Sequence, residues 1–365
     1  MSKKNYDDVF KQFKDLDEDI SDFLRTLGRG AFGEVREVKI GNKIYAAKLV
    51  EKEKSDNLEP EKLRGTNIIK IVKISERPIN DKYYDLIIME KAVLKDIGTL
   101  IKFLYDKNLL KLINKPFVQL IGDNFVRFFT KQIVAGLETL ERSELIHFDI
   151  KPENLLITSG LILKISDFSF LKNVRQGEEK FKIPGGTHSY VTPEYYNREK
   201  VDGITAKKQD YFALGATIYY LKFCHNFLKY KKYEEDKMNQ SRLIDLLQRN
   251  LALLRSNLAL NRDFVEFIIS LVEFSPEQRP KFEEIYRNKW LNQNRKEIND
   301  IIQTFSEGEE DKLMRELIKS DYIVEKKQDL TKEPFVKFKF IKRKKWIPLN
   351  KKWKIVYFNL FNKKR

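Results

Sequence analysis

The stretch from Ile146 to Phe170, "IHFDIKPENLLITSGLILKISDFSF", leaves the chain few options around it. Asp149, Lys151 and Asn154 fall within six residues, and Asp167 comes thirteen after Asn154. The intervening "LLITSGLILKIS" reads as two short strands joined at Ser159-Gly160. A hairpin there returns Asp167 to the side of Asn154. Two oxygen ligands so placed suit Mg²⁺, which takes few protein ligands and completes its shell with substrate phosphates. Asp149 is then available to orient an incoming hydroxyl and accept its proton. Lys151 is available to neutralise charge on a transferring phosphoryl group. A polar surface loop has no need of these four side-chain types together.

A second signal lies upstream in "LGRGAFGEV". Glycine turns are common, so the context decides. A βαβ nucleotide fold would start a helix straight after the last glycine. Gly33 instead leads into a strand, "EVREVKI", then a turn and a third strand that carries Lys48. A glycine turn between antiparallel strands folds over phosphates and offers them backbone N–H donors. Gly28, Gly30 and Gly33 let that backbone approach closely. Lys48 supplies a cation from the neighbouring strand.

Around these two signals the periodicity changes once. From Phe23 to Glu90 the chain reads as short strands: "REVKI", "KIYAAKLV", "IIKIVKI" and "YYDLIIME". After Lys91 the apolar spacing turns helical, in "IGDNFVRFFTKQIVAGLETLER", "YFALGATIYYLKF", "DFVEFIISLVEF" and "FEEIYRNKWL". The expected class is α+β and two-lobed, with a small β-rich lobe followed by a larger helical one. Residues 1–20 are polar and read as a flexible or loosely helical lead-in. The charged stretch from about Phe227 to Asn261 reads as a solvated helical insertion.

Taken in order, "GRGAFGEV", "YAAK", "IIMEKA", "HFDIKPEN", "DFS", "GGTHSYVTPE", "DYFALG" and "SPEQRP" make the chain resemble the eukaryotic protein kinase family over about residues 21–292. That resemblance implies an N-lobe over about 21–91, a C-lobe over about 92–292, and transfer of the ATP γ-phosphate to protein hydroxyls with Mg²⁺. It implies Asp149 as catalytic base, Lys151 as its aid at the γ-phosphate, and Asn154 and Asp167 as metal ligands. Nucleotide contacts would come from Gly28, Arg29, Gly30, Ala31, Phe32 and Gly33, with Lys48 on the α/β-phosphates. Val35, Ala46 and Leu156 would sandwich adenine. Met89 resembles the gatekeeper, Glu90 and Ala92 the hinge, and Asp96 the ribose contact. Glu194 would pair with Arg279, Asp210 would brace the catalytic loop, and Thr187 would meet Asp149. Lys151 with "PEN" after it resembles the Ser/Thr group, so the implied substrates are proteins with Ser or Thr.

Three positions depart from the pattern. Phe148 stands where the family carries an arginine that binds an activation-loop phosphate, and Ile183 stands at the usual phosphoacceptor. The paired loss suggests a loop that needs no activating phosphate. Ser169 replaces the glycine of Asp-Phe-Gly, which reads as a tolerated change. Glu59 aligns with the helix glutamate that pairs with Lys48, but Pro60 comes next, and Glu61 and Glu53 are alternatives.

Two other readings stay open. A scaffold that binds ATP weakly or not at all is one. The second is an adaptor built on the tail. Residues 335–365 hold twelve Lys/Arg and no acid, leaving +4 of the net +16 to the rest. With Trp346, Trp353, Tyr357 and Phe358 interleaved, that tail in the 293–365 extension suits an anionic membrane surface or nucleic acid. Packing of its strand-like "FVKFKFIK" and "WKIVYFNLF" on the larger lobe is the plainer expectation. Cys224 is the single cysteine, which excludes an intramolecular disulfide framework. No signal core, membrane-spanning run or myristoylation pattern is seen, so a cytoplasmic or nuclear protein is expected.

Overall fold

The computed structural model describes residues 6–30, 33–52, 59–93, 96–104, 123–174, 179–197, 200–228, 240–258 and 260–293. The chain divides into two compact units at Ala92/Val93. A β-rich unit and a helical unit in this order match the α+β, two-lobed class expected.

The first unit is a five-stranded antiparallel sheet of β1 (Ile20–Gly30), β2 (Gly33–Ile40), β3 (Lys43–Lys52), β4 (Ile71–Ile79) and β5 (Lys82–Met89), in the order β1-β2-β3-β5-β4. The turns carry the residues their geometry requires. Gly41 takes φ 54° between β2 and β3, and Asn80 and Asp81 take φ 49° and 60° between β4 and β5. Pro78 lies in β4, an edge strand, where a missing N–H is tolerated.

Register sorts the side chains onto two faces. Val35 pairs with Lys48, Lys48 with Ile87, and Ala46 with Met89, so these five share one face. Arg36 pairs with Ala47, Glu34 with Leu49, and Leu49 with Leu86, which puts these on the other. That second face is the core of the unit, and a helix covers it. Helix α1 (Asp7–Leu16) buries Val9, Phe10 and Phe13 in one cluster with Val38, Ala47, Leu49, Leu86 and Ile88. Asp7 and Asp8 in its first turn and Lys14 in its last suit the helix dipole. The expectation of a flexible or loosely helical lead-in is therefore corrected. The polar composition hid the apolar stripe of Val9, Phe10 and Phe13.

The second unit contains helices α2 (Ile97–Leu104), α3 (Asp123–Arg142), α4 (Gly203–Phe223), α5 (Gln240–Ser256), α6 (Arg262–Leu271), α7 (Phe282–Tyr286) and α8 (Lys289–Asn292). Helix α4 is buried nearly all round from Gln209 to Phe223 and forms the centre of the unit. Asp202 caps its start by accepting from Thr205 N, and Cys224 closes it in the left-handed conformation. The expected "FEEIYRNKWL" helix is two short ones, because Asn288 caps a new start at Leu291 N. Helix α5 is no solvated insertion: Leu243, Leu247 and Leu254 are buried. Residues 229–239, and the tail beyond Gln293, lie outside the described residues.

Candidate active site

In the first unit the glycine turn joins β1 to β2. Gly33 has φ 148°, and a Cβ there would lie 1.8 Å from the Leu49 carbonyl oxygen, so only glycine fits. At Gly28 and Gly30 a Cβ would meet nothing within 4 Å. Packing explains the third glycine and leaves the first two to another cause. Ala31 and Phe32 lie outside the described residues. Val35, Ala46, half-buried Lys48 and Met89 occupy the sheet face opposite the α1 core. Glu90 N donates to Lys70 O at 2.9 Å, and the Glu90 carboxylate accepts from Lys70 N at 2.7 Å. The stretch running through half-buried Ala92 is thereby pinned at its start to the segment before β4.

Glu59 is not the partner of Lys48. Its carboxylate is paired with Lys62 Nζ at 2.7 Å on the surface. Among the described residues, Pro60–Lys62 forms a single 3-10 turn, started by Pro60 as proline allows, and residues 53–58 lie outside the described residues. Glu61 is exposed on that turn, and Glu53 lies outside the described residues.

In the second unit the candidate catalytic residues Asp149, Lys151 and Asn154 converge. Strands β6 (Leu155–Ile157) and β7 (Leu163–Ile165) form the expected hairpin, turned at Gly160 with φ 80°. Its return brings Ser166 N to 2.9 Å from Asn154 O, and Asp167 is the next residue. Both Asp149 oxygens are engaged. Oδ1 accepts from Thr187 N at 2.9 Å and Thr187 Oγ1 at 2.7 Å. Oδ2 accepts from Lys151 Nζ at 2.7 Å and Asn154 Nδ2 at 2.9 Å. Lys151 Nζ also donates to Thr187 Oγ1 at 2.6 Å. The Asn154 amide nitrogen donates to Asp149 O as well, at 2.8 Å, which fixes the amide's orientation with Oδ1 on the other side.

The scaffold beneath is buried. Asp210 on α4 accepts from His147 N at 2.8 Å and Phe148 N at 2.9 Å, bracing the loop as the resemblance implied. Burial pushes its carboxyl up to about 7, against the pull of those two donors. His147 has its pKa lowered, chiefly by burial. Its Nδ1 accepts from Asp149 N at 3.2 Å and its Nε2 faces Ser166 O at 3.0 Å, the pattern of a neutral ring protonated at Nε2. Asp96 caps α2: its two oxygens accept from Thr99 N and Oγ1, each at 2.7 Å. Asp96 also bridges to Leu156 of β6. The buried pair Glu194–Arg279, at 2.9 Å, forms as expected.

Two features escaped sequence reasoning. Ser169 Oγ donates to Asp167 Oδ1 at 2.6 Å, so the residue replacing glycine supplies a hydroxyl to the candidate metal ligand. Asp167 itself has φ 65°. Phe148, also left-handed at φ 65°, is buried among Ile146, Val174, Val201 and Ala206, with Phe170, Phe181 and Ile183 packed on them. The Phe181 ring stands edge-on to it at 6.4 Å, and Lys172 Nζ lies 4.2 Å above Phe181. Strand β8 (Phe181–Lys182) pairs with β9 (Lys200–Val201), and a Cβ on Gly186 would sit 2.8 Å from the Phe148 carbonyl.

Among known proteins, residues 21–291 match the protein kinase domain. Human Rho-associated protein kinase 1 is 27% identical over 227 residues, 59% of this chain and 16% of the relative. Serine/threonine-protein kinase Nek9 of Xenopus laevis is 24% identical over 289 residues, 76% of this chain and 28% of the relative. Human rhodopsin kinase GRK1 is 30% identical over 206 residues, 54% of this chain and 34% of the relative. The aligned part spans about a third or less of each relative's length. With a matched region this long, the chain belongs to the protein kinase family.

Proposed function

We propose that this chain is an active serine/threonine protein kinase that transfers the γ-phosphate of ATP to protein hydroxyls. The observation that carries this is the Asp149 cluster. A carboxylate held by Thr187, Lys151 and Asn154 has one orientation, and an incoming hydroxyl arriving there meets an oriented base. Lys151, bonded to both Asp149 and Thr187, is fixed beside the point where negative charge is transferred.

Asn154 Oδ1 and the Asp167 carboxylate are the residues that would hold Mg²⁺. Two oxygens from separate elements, joined through the Ser166–Asn154 bond, fit a cation that keeps few protein ligands. Bound there, Mg²⁺ would neutralise phosphate charge. Gly28 and Gly30 have open space where a side chain would stand, which supports close approach of phosphates to the turn. Lys48, Val35, Ala46 and Met89 share the face the nucleotide would use. Asp96 reads best as a helix cap that fixes α2 on the hairpin, with any ribose contact secondary.

The same reading extends to regulation. Phe148 replaces a phosphate-binding cation with an apolar anchor, and Phe181, Ile183 and Phe170 meet it. Hydrophobic contact thus does what a phosphate–arginine pair would do, and the segment needs no phosphorylation to be ordered.

A scaffold without transfer activity is the second reading. It is favoured by Glu59, which turns to Lys62 instead of Lys48. Transfer from ATP and Mg²⁺ to a generic basic protein separates the two. We expect Asp149→Asn to lower it by about 10²–10⁴-fold. Equal transfer by wild type and variant would refute the kinase reading.

A further inference from the structure

A continuous line of ion pairs runs from the glycine turn to the first turn of α1, on the sheet face away from Lys48. Arg29, between Gly28 and Gly30, pairs through Nε with Glu34 Oε2 at 2.7 Å. Glu34 Oε1 pairs with Arg36 Nε at 2.7 Å and accepts from Thr26 Oγ1 at 3.0 Å. Arg36 reaches Asp7 at the start of α1 through its Nη2, and its guanidinium lies 4.2 Å above the Phe10 ring. Glu34 is completely buried, while Arg29 and Asp7 at the two ends are exposed.

We propose that this line positions Gly28, Arg29 and Gly30, at the end of β1, against the phosphates of a bound nucleotide, with Glu34 as the positioning residue and α1 as its anchor. The proposal rests on the reading of Gly28 and Gly30 as backbone that the phosphates of a bound nucleotide approach. Three physical points carry it. Glycines are the most permissive backbone residues, so a turn built on them samples widely unless something outside it restrains it. A buried carboxylate is tolerable only beside its charged partners, which gives Glu34 a single position and transmits that position to Arg29. Arg29 is the side chain between the two glycines that packing does not require. Burial works against the Glu34 charge, yet Arg36, Arg29 and Thr26 hold its pKa below the usual value, as a working set of pairs should. Restraining the turn beforehand removes an ordering cost from phosphate binding. Adenine recognition belongs to the opposite face and to β5, so it should be indifferent to the line.

The test is calorimetric titration of the full chain with ATP and Mg²⁺, and separately with adenosine. We expect Glu34→Gln to weaken ATP by about tenfold and to leave adenosine within about twofold. Asp7→Asn, acting through two further links, should shift ATP in the same direction by less, and Arg36→Lys should retain more affinity than Arg36→Ala. A merely structural role would weaken both ligands together. A folded Glu34→Gln protein with an unchanged ATP-to-adenosine ratio overturns the proposal. Should Glu34→Gln not fold, the exposed Asp7→Asn variant decides by the same ratio. Wild-type protein that binds adenosine no worse than ATP, or binds neither, overturns the phosphate-turn reading and the proposal with it. Normal wild-type preference for ATP with unaltered variants overturns the proposal alone.

Discussion

His147 shows how a buried side chain fixes the candidate catalytic residues beside it. It is buried beneath the catalytic loop and works as a neutral ring, because its Nδ1 must accept from Asp149 N. Its folded pKa lies below the ordinary 6.5, with burial the leading cause and the nearby Lys151 adding to it against Asp149 and Asp167. The unfolded chain therefore takes up this proton first as pH falls. The histidine's contribution is intact above the unfolded pKa and is lost as pH drops below it, each tenfold difference in proton affinity being worth about 1.4 kcal/mol. Denaturant midpoints at about pH 7.5 and about pH 5.5 should differ for wild type and differ less for His147→Gln. At this scale the sequence was legible where chemistry demands one residue type at one spacing. Asp149, Lys151, Asn154 and Asp167 were read that way, and the structure brings the first three into contact with Asp167 next to the Ser166–Asn154 bond, while their catalytic roles are proposed. Ser169 and Glu34 were not legible, since their bonds depend on how a turn and a hairpin happen to close. The assignment of Glu59 failed for a similar reason: Pro60 starts a tight turn that leaves the carboxylate on the surface.

Among the elements, α1 carries the clearest consequence. Phe10 and Phe13 are each 1% exposed, so they belong to the core of the first unit as fully as Leu49 or Ile88. We expect Phe10→Ala or Phe13→Ala to cost about 3–5 kcal/mol, read as a lowered denaturation midpoint. A flexible lead-in would give no change. The strands were legible because each pairs β-branched or aromatic alternation with a turn residue that requires positive φ. The helices α1 and α5 were misread because their charged faces dominate the composition while their buried stripes are narrow. Phe148 belongs at this scale as well. It was legible as a departure, and its packing with Phe181 became visible only once β8 was paired with β9.

For the molecule as a whole, the switch from period-two to helical spacing near Lys91 marked the division into units found at Ala92/Val93. No described helix is long and apolar enough to cross a membrane. The basic tail, expected to pack on the larger lobe with an anionic surface or nucleic acid as the alternative, lies outside the described residues. Within the second unit, Asp210 holds the His147–Phe148 backbone, the Glu194–Arg279 pair ties the segment after Thr192 to the Arg279 region, and the Phe148 cluster packs Phe170, Phe181 and Ile183 together. All these restraints are side-chain and backbone contacts within the second unit. The most direct measurement is phosphate transfer from ATP and Mg²⁺ to a basic protein after the pure protein has been treated with phosphatase and the phosphatase removed. We expect the treated protein to retain its activity in full. Loss of activity on treatment, restored by phosphorylation of the activation segment, would contradict a kinase held ready by apolar packing around Phe148.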